Sequence, residues 1–226
     1  FIWILESFYK YKKEKVKKLA VKMKTPALIL ASQSPRRKQM LASCGIAFQA
    51  IPANILEEQH PGEPVKEYVL RNCTEKALCV AEKLLEKETN IREPFFILSA
   101  DTIVFSKEGK VLEKPKDQEN ALQMLSALSN NEHQVMSGYS LFKNREFLTQ
   151  RIVTTIVTFR KLTLREIHAY ISTNEPYDKS GAYGIQEKAM GFVEKIVGSY
   201  TNVMGLPLSE VIQDLEKFAD IYTFSN

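Results

Sequence analysis

Cysteine is scarce in this chain of 226 residues: only Cys44, Cys73 and Cys79 occur, and no two have Cys-x-x-Cys spacing. An odd, sparse set excludes a disulfide framework and a thiolate zinc site, and it fits a reducing, cytoplasmic compartment. Histidine is as rare. His60, His133 and His168 are scattered, so neither a catalytic triad nor a histidine-rich metal site is expected. There is no P-loop motif, no Gly-x-Gly-x-x-Gly after a strand and no His-Glu-x-x-His. No apolar run approaches the roughly 18 residues that mark a membrane span. Glycine and proline number nine each, beside 44% apolar and 26% charged residues. Collagen, coiled coil and disorder are therefore excluded in favour of an ordinary globular chain with a sizeable core.

Charge of one sign is also in short supply once it is located. The formal net charge is +4. Residues 1–24 hold eight lysines and two glutamates, which leaves 23 basic and 25 acidic residues in 25–226. The surplus therefore belongs to a basic N-terminal extension at +6, read as lying outside the fold, while a single domain over 25–226 sits near −2. Three readings fit the extension: an amphipathic helix on a membrane surface, a solvated tail, or translation starting at Met23. No catalytic role is expected of it. A near-neutral body argues against a nucleic-acid partner.

Strands are expected at Leu28–Ala31, Phe95–Leu98, Gln134–Phe142, Arg151–Phe159 and Phe192–Val197, with a hairpin from Asp101–Phe105 to Val111-Leu112. Helices are expected after Ser34-Pro35, across 65–85 and 117–128, after the Thr163-x-x-Glu166 capping box, and over Pro207–Phe218. The irregular interleaving predicts an α/β fold with a mixed sheet.

Five stretches carry candidate chemistry. In Ser32-Gln33-Ser34-Pro35-Arg36-Arg37, Ser34 suits an N-cap and Pro35 the first helical position. Two arginines in a first helical turn oppose the dipole by roughly 0.3–1 kcal/mol each, unless an anion sits there. The turn therefore reads either as an anion cradle or as two solvated arginines. Ser99-Ala100-Asp101-Thr102 follows an apolar strand, which makes Asp101 a candidate base or metal ligand. Lys114 precedes a rigid proline. The stretches from Asp178 to Gln186 and from Gly198 to Leu208 are polar and glycine-bearing, and each alone is an ordinary loop.

Taken in order, LILASQSPRRKQML (28–41), SADTIVF (99–105), GKVLEKP (109–115), NEPYDKSGAYGIQ (174–186) and GSYTNVMGLPL (198–208) resemble the Maf family of nucleoside triphosphate pyrophosphatases. The resemblance implies an elongated mixed sheet flanked by helices, in two lobes with a central cleft, of the Maf/Ham1, ITPase-like kind. It implies hydrolysis of a nucleoside triphosphate to the monophosphate and pyrophosphate, with a divalent cation, Mg²⁺ or Mn²⁺, in the cytoplasm and often as a homodimer. Asp101 falls on the family's proton acceptor. Arg36, Thr102 and Gln186 fall on positions tied to substrate choice and look like the dTTP/UTP-preferring branch. Ser32, Ser34, Arg37, Lys76 and Lys114 complete the expected substrate-binding set, and Glu58 with Asp101 the expected metal ligands, Glu57 being the alternative to Glu58. The chain departs from the family pattern at Asn72-Cys73, where Leu-Ala is usual, at Glu187, where Gly is usual, and at Met204, where Val is usual. None of these is expected to touch a reacting group.

Two other functions fit the same residues. One is a protein acting without catalysis, either a septum-formation regulator, as the family resemblance implies, or a polyanion binder through the basic extension. The other is a purine-directed pyrophosphatase.

Overall fold

In the computed structural model, described here for residues 27–86 and 94–221, a mixed sheet runs through the domain. The basic extension, residues 1–24, lies outside the described residues. Strands are β1 (Ala27–Leu30), β2 (Gln49–Ala50), β3 (Phe95–Phe105), β4 (Val111–Leu112), β5 (Glu132–Lys143), β6 (Glu146–Phe159) and β7 (Val193–Val197). Helices are α1 (Pro35–Ser43), α2 (Val65–Glu86), α3 (Gln118–Leu128), α4 (Leu164–Ile171), α5 (Tyr200–Val203) and α6 (Leu208–Leu215). The sheet order is β2-β1-β3-β5-β6-β7, with β4 also on β3. β1 is parallel to β2 and β3, and every other pairing is antiparallel. The expected mixed sheet flanked by helices is present.

The elements follow local rules. Ser34 caps α1, with Pro35 at its first position, and Gly45 beyond its end takes a left-handed φ of 70°. Thr163 and Glu166 form the reciprocal capping box of α4. Two boundaries differ from expectation. The hairpin partner of β5 begins at Glu146, not Arg151, because Asn144 at φ 54° makes a tight turn directly after Lys143. The segment 95–105 is one continuous strand, although two were expected, because β5 pairs with it from Phe96 to Phe105.

That continuity decides where Asp101 lies. β1 ends opposite Leu98, and β3 runs on past it, paired on its other side with β5. Asp101 is therefore in the middle of β3 rather than at its carboxyl end, and the strand end that opens the site belongs to β1. Alternation along β3 sends Phe96, Leu98, Ala100 and Val104 into the larger core, which includes Leu28, Leu41, Leu125 and Tyr139. Ile97 and Ile103 face the other way, towards Ala77, Val80, Val69 and Cys73 of α2. Gly138 stands across from Asp101 on β5. A Cβ there would come within 2.5 Å of the Val69 side chain, so the missing side chain lets α2 lie close on the sheet.

His133 occupies the larger core at 1% exposure. Its Nε2 meets the Tyr183 hydroxyl at 2.7 Å, and the ring sits edge-on to Phe159. Burial pushes its pKa down to about 4 from 6.5. Its folded pKa lies below the unfolded one, so the stability it contributes is intact above pH 6.5 and is lost as pH falls towards 4. We expect a loss of about 3 kcal/mol from this group between pH 7 and 4. Thermal unfolding of wild type and His133→Gln across that range should show the steeper decline in wild type.

Candidate active site

An open cavity of about 1080 Å³ lies beyond the end of β1, lined by the β1–α1 turn, the 51–64 loop, α2, the middle of β3, and the turns at 178–185 and 203–205. Because neighbouring strand residues face opposite sides, Asp101 and Thr102 serve two halves of this site.

On the α2 side, Asp101 is 8% exposed and its carboxylate is held at both oxygens. Lys76 Nζ donates to Oδ1 at 2.9 Å, and Asn72 Nδ2 donates to Oδ2 at 3.1 Å. Lys76 and Asn72 are one helical turn apart, which puts both on the face of α2 that Gly138 lets approach the sheet. Lys76 also pairs with Glu57 Oε2 at 2.9 Å, so one ammonium bridges two carboxylates. The loop that brings Glu57 is tied down twice. The Tyr68 hydroxyl donates to the Glu57 carbonyl at 3.1 Å. Arg71 grips Glu63 with two nitrogens, at 2.7 and 2.8 Å, and donates to the Glu58 carbonyl at 2.9 Å. The hydrogen bond from Arg71 holds the Glu63 carboxyl down at about 2. Burial, with the Asp101 charge, raises the Cys73 thiol to about 12, so this sulfur packs as a neutral group.

On the other side, Arg37 turns inward. Its Nε donates to the Gly205 carbonyl at 2.7 Å, Nη1 to Ser32 Oγ at 3.1 Å and Nη2 to Thr102 Oγ1 at 3.1 Å. Burial lowers its pKa from the usual value, and the charge of Asp101 opposes that. The Thr102 hydroxyl also meets Ser137 Oγ at 2.8 Å and Gly205 O at 3.2 Å. Arg37 thus knits three segments of the cavity wall. Arg36 diverges from it and pairs with Asp178 at 3.4 Å. Lys179, 6% exposed, contacts Asp178 at 2.6 Å and Glu187 at 3.2 Å. Lys114 is exposed at the cavity and has no acidic partner among the described residues.

Of the residues singled out from sequence, Ser32, Ser34, Arg36, Arg37, Lys76, Asp101, Thr102 and Lys114 all line this one cavity. Gln186 does not; its neighbour Ile185 does. Glu58 does not either, and it is Glu57 whose carboxylate reaches Lys76. In a loop without periodicity, two adjacent glutamates are indistinguishable until the chain path is known. Asn72 also lies at the site. It was expected to touch no reacting group, yet it binds Asp101 directly. Glu187 likewise reaches a cavity cation, Lys179. Their departure from a family pattern was the available signal.

A mixed α/β sheet that sets a doubly held carboxylate in a cavity lined by Arg36, Lys76 and Lys114 defines an enzyme for a small polyanionic substrate. The relatives place it further. The family described as Maf-like protein matches residues 27–218, and the chain belongs to the Maf family. It is 44% identical over 194 residues to a dTTP/UTP pyrophosphatase of Citrifermentans bemidjiense, covering 85% of this chain and 96% of the relative. It is 46% identical to one of Yersinia pestis and 45% to one of Escherichia coli, each covering 85% of this chain and 93% of the relative. A solved nucleoside-triphosphatase, a dITP/XTP pyrophosphatase from Mycobacterium abscessus, aligns at 9% identity with a TM-score of 0.36, over 60% of this chain and 75% of that one.

Proposed function

We propose that the chain hydrolyses dTTP and UTP at the α–β phosphoanhydride, giving the nucleoside monophosphate and pyrophosphate. The observation that carries this reading is the Asp101 carboxylate, fixed at the cavity wall among Arg36, Lys76 and Lys114. Asp101 takes a proton from the attacking water. The water oxygen bonds to the α-phosphorus, the bond to the bridging oxygen breaks, and pyrophosphate leaves. The lysines and arginines offset charge on the phosphates, the effect that dominates this chemistry.

The charge balance of the cavity supports a divalent cation. Three of its cations already face acids: Lys76 faces Glu57 and Asp101, Arg36 faces Asp178, and Lys179 faces Asp178 and Glu187. When Lys76 turns to a phosphate, two carboxylates lose their counter-charge. Among the described residues no group of three or more histidines, cysteines or acids is gathered. Two carboxylates still fit Mg²⁺ or Mn²⁺, ions that complete their shells with water and substrate phosphates. Glu57 and Asp101 would hold the ion, with Glu57 in place of the expected Glu58. Such an ion, when bound, lowers the cost of making hydroxide from water and neutralises phosphate charge.

Base choice is assigned to Arg36, Thr102 and Gln186 on family likeness. Thr102 acts through the wall it builds with Arg37, and Gln186 stands next to the lining. No helix of the described residues is long and apolar enough to cross a membrane. A cytoplasmic setting rests on the scarce cysteines.

The test is pyrophosphate release from dTTP, UTP, CTP, 7-methyl-GTP, ITP and XTP with Mg²⁺ or Mn²⁺. Preference for dTTP and UTP is expected. A preference for ITP or XTP would transfer the chain to the purine-directed reading, and release from none would remove the enzymatic reading.

A further inference from the structure

We infer that Asn72 is a positioning residue for Asp101, holding the carboxylate in place while Lys76 is drawn to substrate. The inference rests on the pyrophosphatase reading above.

Asn72 is fully buried, at 0% exposure, on the face of α2 that otherwise packs Val69, Cys73 and Ala77 against the sheet. Its Nδ2 donates to Asp101 Oδ2. Its Oδ1 is buried and has no hydrogen-bond partner. An orphaned amide oxygen is costly, and an apolar side chain here would avoid that cost. A site that keeps it gains something from the other half of the amide, which faces the Asp101 carboxylate, with the Tyr68 hydroxyl also beside it.

The two holders of Asp101 differ in how they respond to substrate. Lys76 is a cation on a flexible four-carbon stem, and it is already shared between Asp101 and Glu57. Incoming phosphate oxygens attract it away from Oδ1. Asn72 is uncharged, short and enclosed, so phosphate exerts no comparable pull on it. When Lys76 leaves, Asn72 keeps Oδ2 fixed and so keeps Oδ1 aimed at the cavity, where the attacking water must stand. A base held within about 0.5 Å of its productive geometry is what such a reaction needs.

The test uses Asn72→Leu and Asn72→Ala, with kcat and KM measured separately on dTTP at fixed Mg²⁺. Leucine fills the site and excludes water. Alanine covers the case in which the larger side chain prevents folding. We expect kcat to fall about tenfold in Asn72→Leu, with KM within about twofold, because the amide acts on the base and touches no substrate. A kcat unchanged within twofold overturns the proposal, as does a raised KM at constant kcat. Wild type that releases pyrophosphate from no nucleotide would sink the pyrophosphatase reading instead. Crystal structures of wild type and Asn72→Leu then decide the positioning role: the Asp101 carboxylate should turn away from its wild-type plane in the variant, and an unmoved carboxylate overturns the proposal.

Discussion

Asp101→Asn should lower kcat for dTTP hydrolysis by about 10²–10⁴-fold, the size of a lost general base. At saturating Mg²⁺ KM should change little, because Arg36 and Lys114 are untouched by the substitution. The fold should survive. An amide has nearly the volume of the carboxylate, and its oxygen can still accept from Lys76, which keeps Glu57 as a partner. Its nitrogen would face Asn72, whose unpartnered Oδ1 can accept a hydrogen bond if that amide flips. Steady-state kinetics on dTTP with a thermal melt of the same sample check this. A variant that melts as wild type and retains more than about a tenth of its kcat removes Asp101 from the chemistry.

Asp214→Ala should do the opposite, unfolding the protein easily while sparing the active site. Asp214 lies on α6 with its side chain 1% exposed. It accepts from the Tyr139 hydroxyl, from Arg151 and from Lys217, each at 2.6 Å. Burial alone would raise its pKa, but hydrogen bonds from Lys217 and Tyr139, with the charge of Arg151, leave it below the usual value. The stability it contributes is therefore present above its unfolded value and is lost as pH falls through the lower, folded one. Removing the carboxylate strands a buried tyrosine hydroxyl on β5 and releases β6 from α6. We expect a cost of about 3 kcal/mol. For a chain of this size that lowers Tm by roughly 6–12 °C. Asp214 is not among the cavity-lining residues, so kcat/KM well below the melt should stay within about twofold of wild type. A melt within about 2 °C of wild type would show that the three contacts contribute little.

The two variants separate stability from catalysis because the sheet separates them. Tyr139 and Asp101 are on adjacent, paired strands but face opposite sides. One side builds the larger core with α6, and the other meets α2.

Much of this was legible in the chain. The apolar runs at 28–31 and 95–98 announced the central strands, and Ser34-Pro35 and Thr163-x-x-Glu166 marked helix starts by cap chemistry, which is local. Asp101 was a candidate as an acid following an apolar strand, singled out among such acids only by the family likeness, and eight of the ten residues singled out lie in one cavity. Asn72 was not legible as a site residue. At helical spacing from Val69 and Lys76 it reads as part of the packed face, and what lies opposite it is set by how closely α2 approaches β5 at Gly138. The arginine pair was half legible. The dipole argument left an anion cradle and two solvated arginines open and treated the pair alike, whereas Arg37 reaches Gly205, 168 residues on, and only Arg36 stays at the open side.

Local and additive properties are written directly in the chain: the α/β pattern, the near-neutral body, the basic extension, and the residue types needed for a small polyanion. Those follow from propensity, periodicity and charge, which act over a few residues. Tertiary structure alone decided that Glu57 rather than Glu58 meets Lys76, that Arg37 braces the wall, and that Asn72 grips Asp101. Such pairings join residues tens of positions apart, and they form only when a whole helix is laid across a sheet.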